Sequence, residues 1–89
     1  VAHLGLLVPV DIRPPRQEEA RLVAATRSLF HLTRAEAEVA AKLAAGMGPQ
    51  AIAEANGVAV GTVRTHVRRI FEKCGVRSQL ELVALLARL

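Results

Sequence analysis

Closely spaced helix stops and starts constrain the fold of this chain more than any other feature of its sequence. The stops are glycines that each follow a run with helical periodicity: Gly46, Gly57 and Gly75. Two capping-box patterns, Thr33 to Glu36 and Ser78 to Glu81, predict helix starts, and Gly48-Pro49 predicts another. The predicted helices cover about 34–45, 49–55, 61–74 and 79–89.

The residues before these four helices predict two further elements. Leu4 to Ile12 is rich in leucine and valine and indicates a strand, which Pro9 would confine to a sheet edge. Because a lone strand is not stable, we expect this segment to be the remnant of an upstream domain or an arm that pairs with a second chain. Pro14 and Pro15 end it, and apolar residues at helical spacing predict a linker helix from Arg16 to Leu29.

Composition limits the core and the compartment. Hydrophobic residues make up 52% of the chain but aromatic residues only 2%, so the core must be built from alanine, leucine, valine and isoleucine. The single cysteine, Cys74, cannot form an intramolecular disulfide, which suits a reducing compartment, and we expect a cytoplasmic protein. No apolar run reaches the roughly 18 residues of a membrane span, so we expect no membrane partner.

The chain lacks the residue patterns of catalysis and of cofactor binding. It has no nucleophile paired with a base, no phosphate-binding glycine loop and no carboxylate pair in a predicted cleft. His3 and His31 are isolated, whereas a metal site needs several ligands in register. Cys74 is predicted to point to the core, away from oxidants. We therefore expect no enzyme activity, no cofactor and no metal.

The stretch from Ala51 to Gly75 has the layout of a helix-turn-helix motif, in which a short helix, a turn of about four residues and a longer helix follow one another. At about 100° per residue, the apolar side chains of the longer helix fall on one stripe. These are Val63, Val67, Ile70, Phe71 and Cys74. The predicted fold class is all-α: a four-helix helix-turn-helix domain at 32–89, preceded by an N-terminal extension at 1–31 that holds the strand-like segment and the linker helix.

Positive charge is concentrated on the same helix. The chain has a formal net charge of +4, and between Gly61 and Cys74 four basic residues stand against one acid, Glu72. The basic residues are Arg64, Arg68, Arg69 and Lys73. A basic helix by itself most often indicates a solvated surface, but the preceding helix and glycine turn give this one a docking geometry. Arginine can engage guanine or two phosphate oxygens, so the predicted partner is double-stranded DNA.

From Leu32 to Leu89 the sequence resembles the LuxR-type helix-turn-helix domain of bacterial response regulators and quorum-sensing regulators. The resemblance lies in five motifs that occur in the order and at the spacing of the family, without insertion or deletion. They are LTRAEAEV from Leu32, Gly46, the Ile52-Ala53 pair, TVRTHVRRI from Thr62 to Ile70, and KCGV from Lys73 to Val76. The last segment, RSQLELVALL, is also similar to the family.

The resemblance implies roles for particular residues. Base contacts would come from Arg64, Thr65 and Arg68, and phosphate contacts from Thr62, Arg69, Lys73 and Gln50. His66, the signature histidine, would have a structural or phosphate-proximal role. In the last helix, Leu82, Leu85, Leu86 and Leu89 would pack inward, leaving an apolar strip for a homodimer contact at Leu80, Val83, Ala84 and Ala87. A sensory domain upstream is also implied.

Several residues depart from the family pattern. Ala35 and Cys74 replace an arginine and a leucine of two motifs, and Gln79 replaces an arginine, which predicts the loss of a phosphate contact. Ala59 replaces the usual capping serine, and Asn56 replaces a core leucine. These last two changes predict that the third helix begins late or frays.

Two other functions fit parts of the sequence. The first is the promoter-reading region of a sigma factor, which has a similar helix-turn-helix core, although His66 and the capped, leucine-rich last helix favour the LuxR-type interpretation. The second is a protein-interaction module that has lost DNA binding and acts through the last helix. Arg64, Arg68 and Arg69 argue against this module, whereas Ala59 and Asn56 leave it open.

Overall fold

The computed structural model describes residues 15–89 and contains five helices and no strand in that range. They are α1 Pro15–Phe30, α2 Arg34–Ala44, α3 Pro49–Asn56, α4 Val60–Cys74 and α5 Gln79–Leu86. The all-α class and the order of the four predicted helices after the linker helix are therefore confirmed. The predicted strand at Leu4 to Ile12 lies outside the described residues. No helix among residues 15–89 is both long and apolar enough to cross a membrane.

Helix α1 packs against α2 and the end of α5. Its buried side chains are Leu22 and Thr26, and the Thr26 hydroxyl donates to the carbonyl oxygen of Leu22 at 2.7 Å. Leu29 continues the predicted helical spacing, but it is 58% exposed. Arg21 donates through Nη1 to the carbonyl oxygen of Leu89 at 3.1 Å, beyond the end of α5.

The two predicted capping boxes have different outcomes. At α2 the box is complete, because the Thr33 hydroxyl accepts from the Glu36 amide at 3.1 Å and the Glu36 carboxylate accepts from the Thr33 amide at 3.0 Å. At α5 the Ser78 hydroxyl accepts from the Glu81 amide at 3.1 Å. The Glu81 carboxylate accepts from the Arg77 amide instead of the Ser78 amide, so only half of the second box forms.

Gly57 allows the tight turn between α3 and α4. Its φ of 67° lies in the left-handed region, which other residues adopt at a cost. The turn satisfies the end of α3 with two backbone bonds: the Val58 amide donates to Ala53 at 3.0 Å, and the Gly57 amide donates to Glu54 at 3.4 Å. The turn itself occupies only the residues 57–59.

Helix α4 begins at Val60, one residue earlier than predicted. The expectation of a late start was wrong, although Ala59 at the N-cap indeed supplies no side-chain hydrogen bond. Val63 and Ile70 are completely buried, and their packing holds the helix in place despite the missing cap. Asn56, at the last position of α3, is exposed, so the polar replacement costs the core nothing.

The core is aliphatic, as composition requires. Its largest fully buried apolar side chains come from α2 to α5: Val39, Leu43, Ile52, Val63, Ile70, Leu82 and Leu86. Both phenylalanines, Phe30 and Phe71, lie at the edge of this core and are only partly buried. Helices α2 and α3 pack against α4, and α5 packs against α2, which leaves one side of α4 in contact with protein and the other side free.

Candidate nucleic-acid interface

Helix α4 separates its apolar and basic side chains as the sequence predicts. Val63 and Ile70 are buried in the core, and Val67, Phe71 and Cys74 are partly buried against it. Four of the residues on the opposite side are exposed: Thr62, Arg64, Arg68 and Arg69. Because α3 packs against α4, the exposed face of α4 is the outer surface of the helix-turn-helix unit.

Three arginines on this face are available to a partner. Arg64 and Arg68 are one turn apart, about 6 Å along the axis, on one edge of the exposed face. Arg69 lies toward the other edge, on the same side as Thr62. Within residues 15–89, none of the three guanidinium groups forms an ion pair with a carboxylate. The face therefore carries uncompensated positive charge, which suits a polyanion.

The first turns of α3 and α4 place polar groups beside this face. Gln50 and Thr62 are exposed, and neither Gly48 nor Ala59 caps its helix with a side chain. Backbone amides in the first turn of a helix have no intrahelical partner and are suited to bind phosphate. The Thr65 hydroxyl donates to the carbonyl oxygen of Gly61 at 3.1 Å, so toward a partner Thr65 offers an acceptor oxygen and a methyl group.

The sequence model of the family described as "Bacterial regulatory proteins, luxR family" matches residues 31–86. The chain belongs to this family. The match covers α2 to α5 in full and begins just after α1. Neither the curated proteins nor the solved structures gave a match. The chain is thus a LuxR-family helix-turn-helix domain whose function is DNA-binding transcription regulation.

Lys73 has a different partner from the one that the family resemblance implies. Its ammonium lies 2.8 Å from the Glu36 carboxylate and 3.3 Å from the carbonyl oxygen of His31. This LuxR-family domain therefore directs Lys73 toward the start of α2, whereas the three arginines of α4 point away from the body. The predicted phosphate contacts of Arg69, Gln50 and Thr62 have no competing ion pair of this kind.

Gln79 has a structural role that its departure from the family pattern did not predict. Its Nε2 donates to the carbonyl oxygens of Leu43 and Met47, both at 3.0 Å. These bonds join the start of α5 to the end of α2. Leu43 is 36 residues away in the chain, so no local pattern announces this contact. The amide thus serves the fold at a position where the family's arginine was expected to serve DNA.

His66 and Cys74 are set into the body of the domain. The Nδ1 atom of His66 is buried and has no hydrogen-bond partner among the described residues. His66 lines a recess of about 310 Å³ together with Thr62, Asn56 and Glu38, between α2 and the start of α4. Cys74 is partly buried, and this burial raises the pKa of its thiol, which keeps it protonated and a poor nucleophile.

The apolar strip predicted on α5 is divided by α1. Leu80 is 79% exposed and Ala84 is exposed, so both are accessible to a partner. Val83 and Ala87 line a crevice of about 170 Å³ whose other wall includes Leu22 of α1, and of the two only Val83 is half-buried, since Ala87 is also exposed. The inward-facing set is as expected, since Leu82 and Leu86 are fully buried and Leu85 and Leu89 are partly buried.

Proposed function

We propose that this LuxR-family domain binds double-stranded DNA in a sequence-specific manner by inserting α4 into the major groove. The observation that carries the proposal is the exposed edge of α4, where Arg64 and Arg68 have no carboxylate partner in the described chain. An arginine in the major groove can bind guanine O6 and N7 with both arms of its guanidinium. Arg64 and Arg68 are therefore assigned to base contacts, together with Thr65, which follows Arg64 in the chain.

The proposed phosphate contacts lie beside this edge. Arg69 and Thr62 would bind the backbone on one side of the groove, and Gln50 would do so from the first turn of α3. We leave Lys73 out of this set because its charge already neutralises the buried Glu36 carboxylate. Two copies joined through the exposed part of α5 would read two half-sites about one DNA turn apart.

Binding to a labelled duplex across a salt series tests this assignment. For the native chain, the logarithm of the binding constant should fall linearly with the logarithm of salt concentration, because bound phosphates release counterions. Arg69→Ala should reduce that slope by about 1. On a duplex selected from a random pool, Arg68→Ala should weaken binding by about 1–3 kcal/mol and lose discrimination at the contacted base.

Arg27→Ala is the matched control, since Arg27 is also exposed but lies on α1. It removes the same charge and should leave the salt slope and the sequence preference close to those of the native chain. Failure of the folded native chain to bind any duplex at low salt would refute the proposal. Equal losses for Arg27→Ala and Arg68→Ala would show that net charge, rather than α4, determines binding.

A further inference from the structure

A second charged surface lies on α1 and the start of α2, outside the face that we assign to DNA. It is a groove of about 620 Å³ whose walls are one face of α1 and the first two turns of α2. The apolar side chains that line it are Ala20, Val23 and Ala24, which recur at helical spacing along α1. The small side chains of Ala20 and Ala24 let another backbone approach α1 closely.

Positive charge remains unbalanced at both ends of the groove's apolar floor, which Ala20, Val23 and Ala24 form. Arg16 and Arg27 line the groove at either end of the apolar residues, about 16 Å apart along the helix axis. Neither forms an ion pair with a carboxylate in the described residues. The groove thus combines an apolar centre with a free guanidinium at each end.

The acidic side chains of the groove already have partners. Glu19 accepts from the Lys42 ammonium at 3.1 Å, and Glu38 lies 3.8 Å from the Arg34 guanidinium. Each carboxylate is matched by a cation from the groove wall or its immediate surroundings. They therefore leave the charges of Arg16 and Arg27 without compensation.

We propose that this groove binds an acidic amphipathic segment of a partner protein. The segment would place apolar side chains on Ala20, Val23 and Ala24, and carboxylates against Arg16 and Arg27. A helix of about three turns with acidic residues at both ends spans the required distance. This binding site goes beyond DNA binding, because all of α1 precedes the residues that match the family.

The charges disfavour a second copy of this chain as the occupant. If two α1 helices paired antiparallel through this face, Arg16 of each copy would oppose Arg27 of the other, and parallel pairing would oppose each arginine with itself. Like charges across an interface reject that partner. Residues 1–14 carry one acid, Asp11, and one base, Arg13, so this segment does not supply the missing negative charge.

The groove is also unsuited to the DNA backbone. Phosphates gain nothing from contact with the apolar floor, and a DNA backbone in the groove would bring them close to the carboxylates of Glu19 and Glu38. The exposed face of α4 has a higher density of free cations, with one acid, Glu72, on its surface. An acidic peptide and a duplex should therefore bind different faces of this molecule.

The test uses the full chain and two labelled helical peptides of identical leucine pattern, one with glutamates at both ends and one with glutamines there. The native chain should bind the glutamate peptide at low salt, and the glutamine peptide about tenfold more weakly or not at all. A double variant, Arg16→Gln with Arg27→Gln, should also lose about tenfold in affinity for the glutamate peptide. Arg68→Gln on α4 is the matched control and should bind this peptide like the native chain.

Three results would overturn the proposal. The first is no binding of the glutamate peptide by the native chain, shown by circular dichroism to be folded. The second is equal binding by the native chain and the double variant, or an equal loss in Arg68→Gln. The third is a parallel loss of duplex binding in the double variant, which would make the groove a DNA surface. Self-association of the native chain in sedimentation that is lost in the double variant would instead identify a second copy as the occupant.

Discussion

Glu36 is a buried charge that joins three parts of the domain. It is 2% exposed, and its carboxylate accepts from the Thr33 amide and from the Lys73 ammonium. Lys73 also donates to His31, whose φ of 60° lies in the left-handed region. A buried carboxylate is costly without such partners. Glu36 therefore connects the start of α2 and the α1–α2 loop to the end of α4, which must be held in place to present its arginines.

The environment of Glu36 makes stability depend on pH. Burial by itself raises the pKa of this carboxyl, but the hydrogen bonds from Lys73 and Thr33 outweigh it and hold the pKa below its ordinary value of 4.5. A carboxyl whose pKa is lowered by folding stabilises the native state above its ordinary pKa. That contribution is lost as the pH falls from 4.5 through the lower native value.

Replacing Glu36 by glutamine should lower the free energy of unfolding by about 1–2 kcal/mol at neutral pH, because charged hydrogen bonds become neutral ones. The difference between variant and native chain should shrink as the pH falls below 4.5. Urea denaturation over a pH series measures both. Glu38→Gln is the control, since Glu38 is 43% exposed and 3.8 Å from Arg34, and it should change stability by less than about 0.5 kcal/mol. Equal effects of the two substitutions, or a difference independent of pH, would contradict this role.

At the scale of the element, α4 begins without a side-chain hydrogen bond at its N-cap. Ala59 has extended φ and ψ, which suits an N-cap, but its methyl group accepts no hydrogen bond. The helix forms because Val63 and Ile70 are packed in the core, not because its first turn is locally stabilised. The start of α4 is therefore a site where stability can be gained without changing a buried residue.

Ala59→Ser should raise the free energy of unfolding by about 1 kcal/mol, since the serine hydroxyl can accept a hydrogen bond from a backbone amide of the first turn. Thermal and urea denaturation without DNA measure the gain, so that a new phosphate contact cannot contribute. Ala55→Ser is the matched control because Ala55 is exposed inside α3, and it should lose about 0.5 kcal/mol through helix propensity. A loss of stability in Ala59→Ser would show that the turn cannot accommodate the cap.

At the scale of the whole molecule, α1 limits the surface that α5 offers to a second copy. Val83 and Ala87 face α1, and Arg21 of α1 binds the backbone of Leu89. The exposed residues of the strip are Leu80, Ala84 and Ala87, and of these Ala87 also lines the crevice with α1. A dimer through α5 would therefore be centred on Leu80, with α1 bordering the interface.

Leu80→Glu should weaken self-association by about tenfold or more, because burial of a leucine is worth about 1.5–3 kcal/mol and a carboxylate there would lose its water. Sedimentation velocity measures the dissociation constant, and circular dichroism checks that the variant stays folded. Leu29→Glu is the control, since this leucine is 58% exposed on α1 and lies outside the predicted strip. If Leu29→Glu disrupts the dimer while Leu80→Glu does not, the α5 interface is wrong.

The predictable parts of the fold were those governed by neighbouring residues. The ends of α2, α3 and α4 follow from Gly46, Gly57 and Gly75, and the start of α2 follows from the Thr33 capping box, because each signal acts within about one helical turn. The separation of apolar and basic residues on α4 follows from the helical period alone. The predicted late start of α4 was wrong because the burial of Val63 and Ile70 stabilises the helix even without a side-chain cap.

The sequence by itself thus determined the order of the helices, the LuxR family and the basic face of α4, since propensity, period and motif are properties of short stretches of chain. The predicted end of the last helix at Leu89 was wrong, because α5 ends at Leu86. Only the tertiary structure decided which distant residues meet. Lys73 turns to Glu36 across 37 residues, Gln79 bridges to Leu43 across 36, and α1 covers part of the α5 strip while forming a charged groove with α2. These contacts depend on the relative placement of whole helices, which is set by the filling of the shared core rather than by any local pattern.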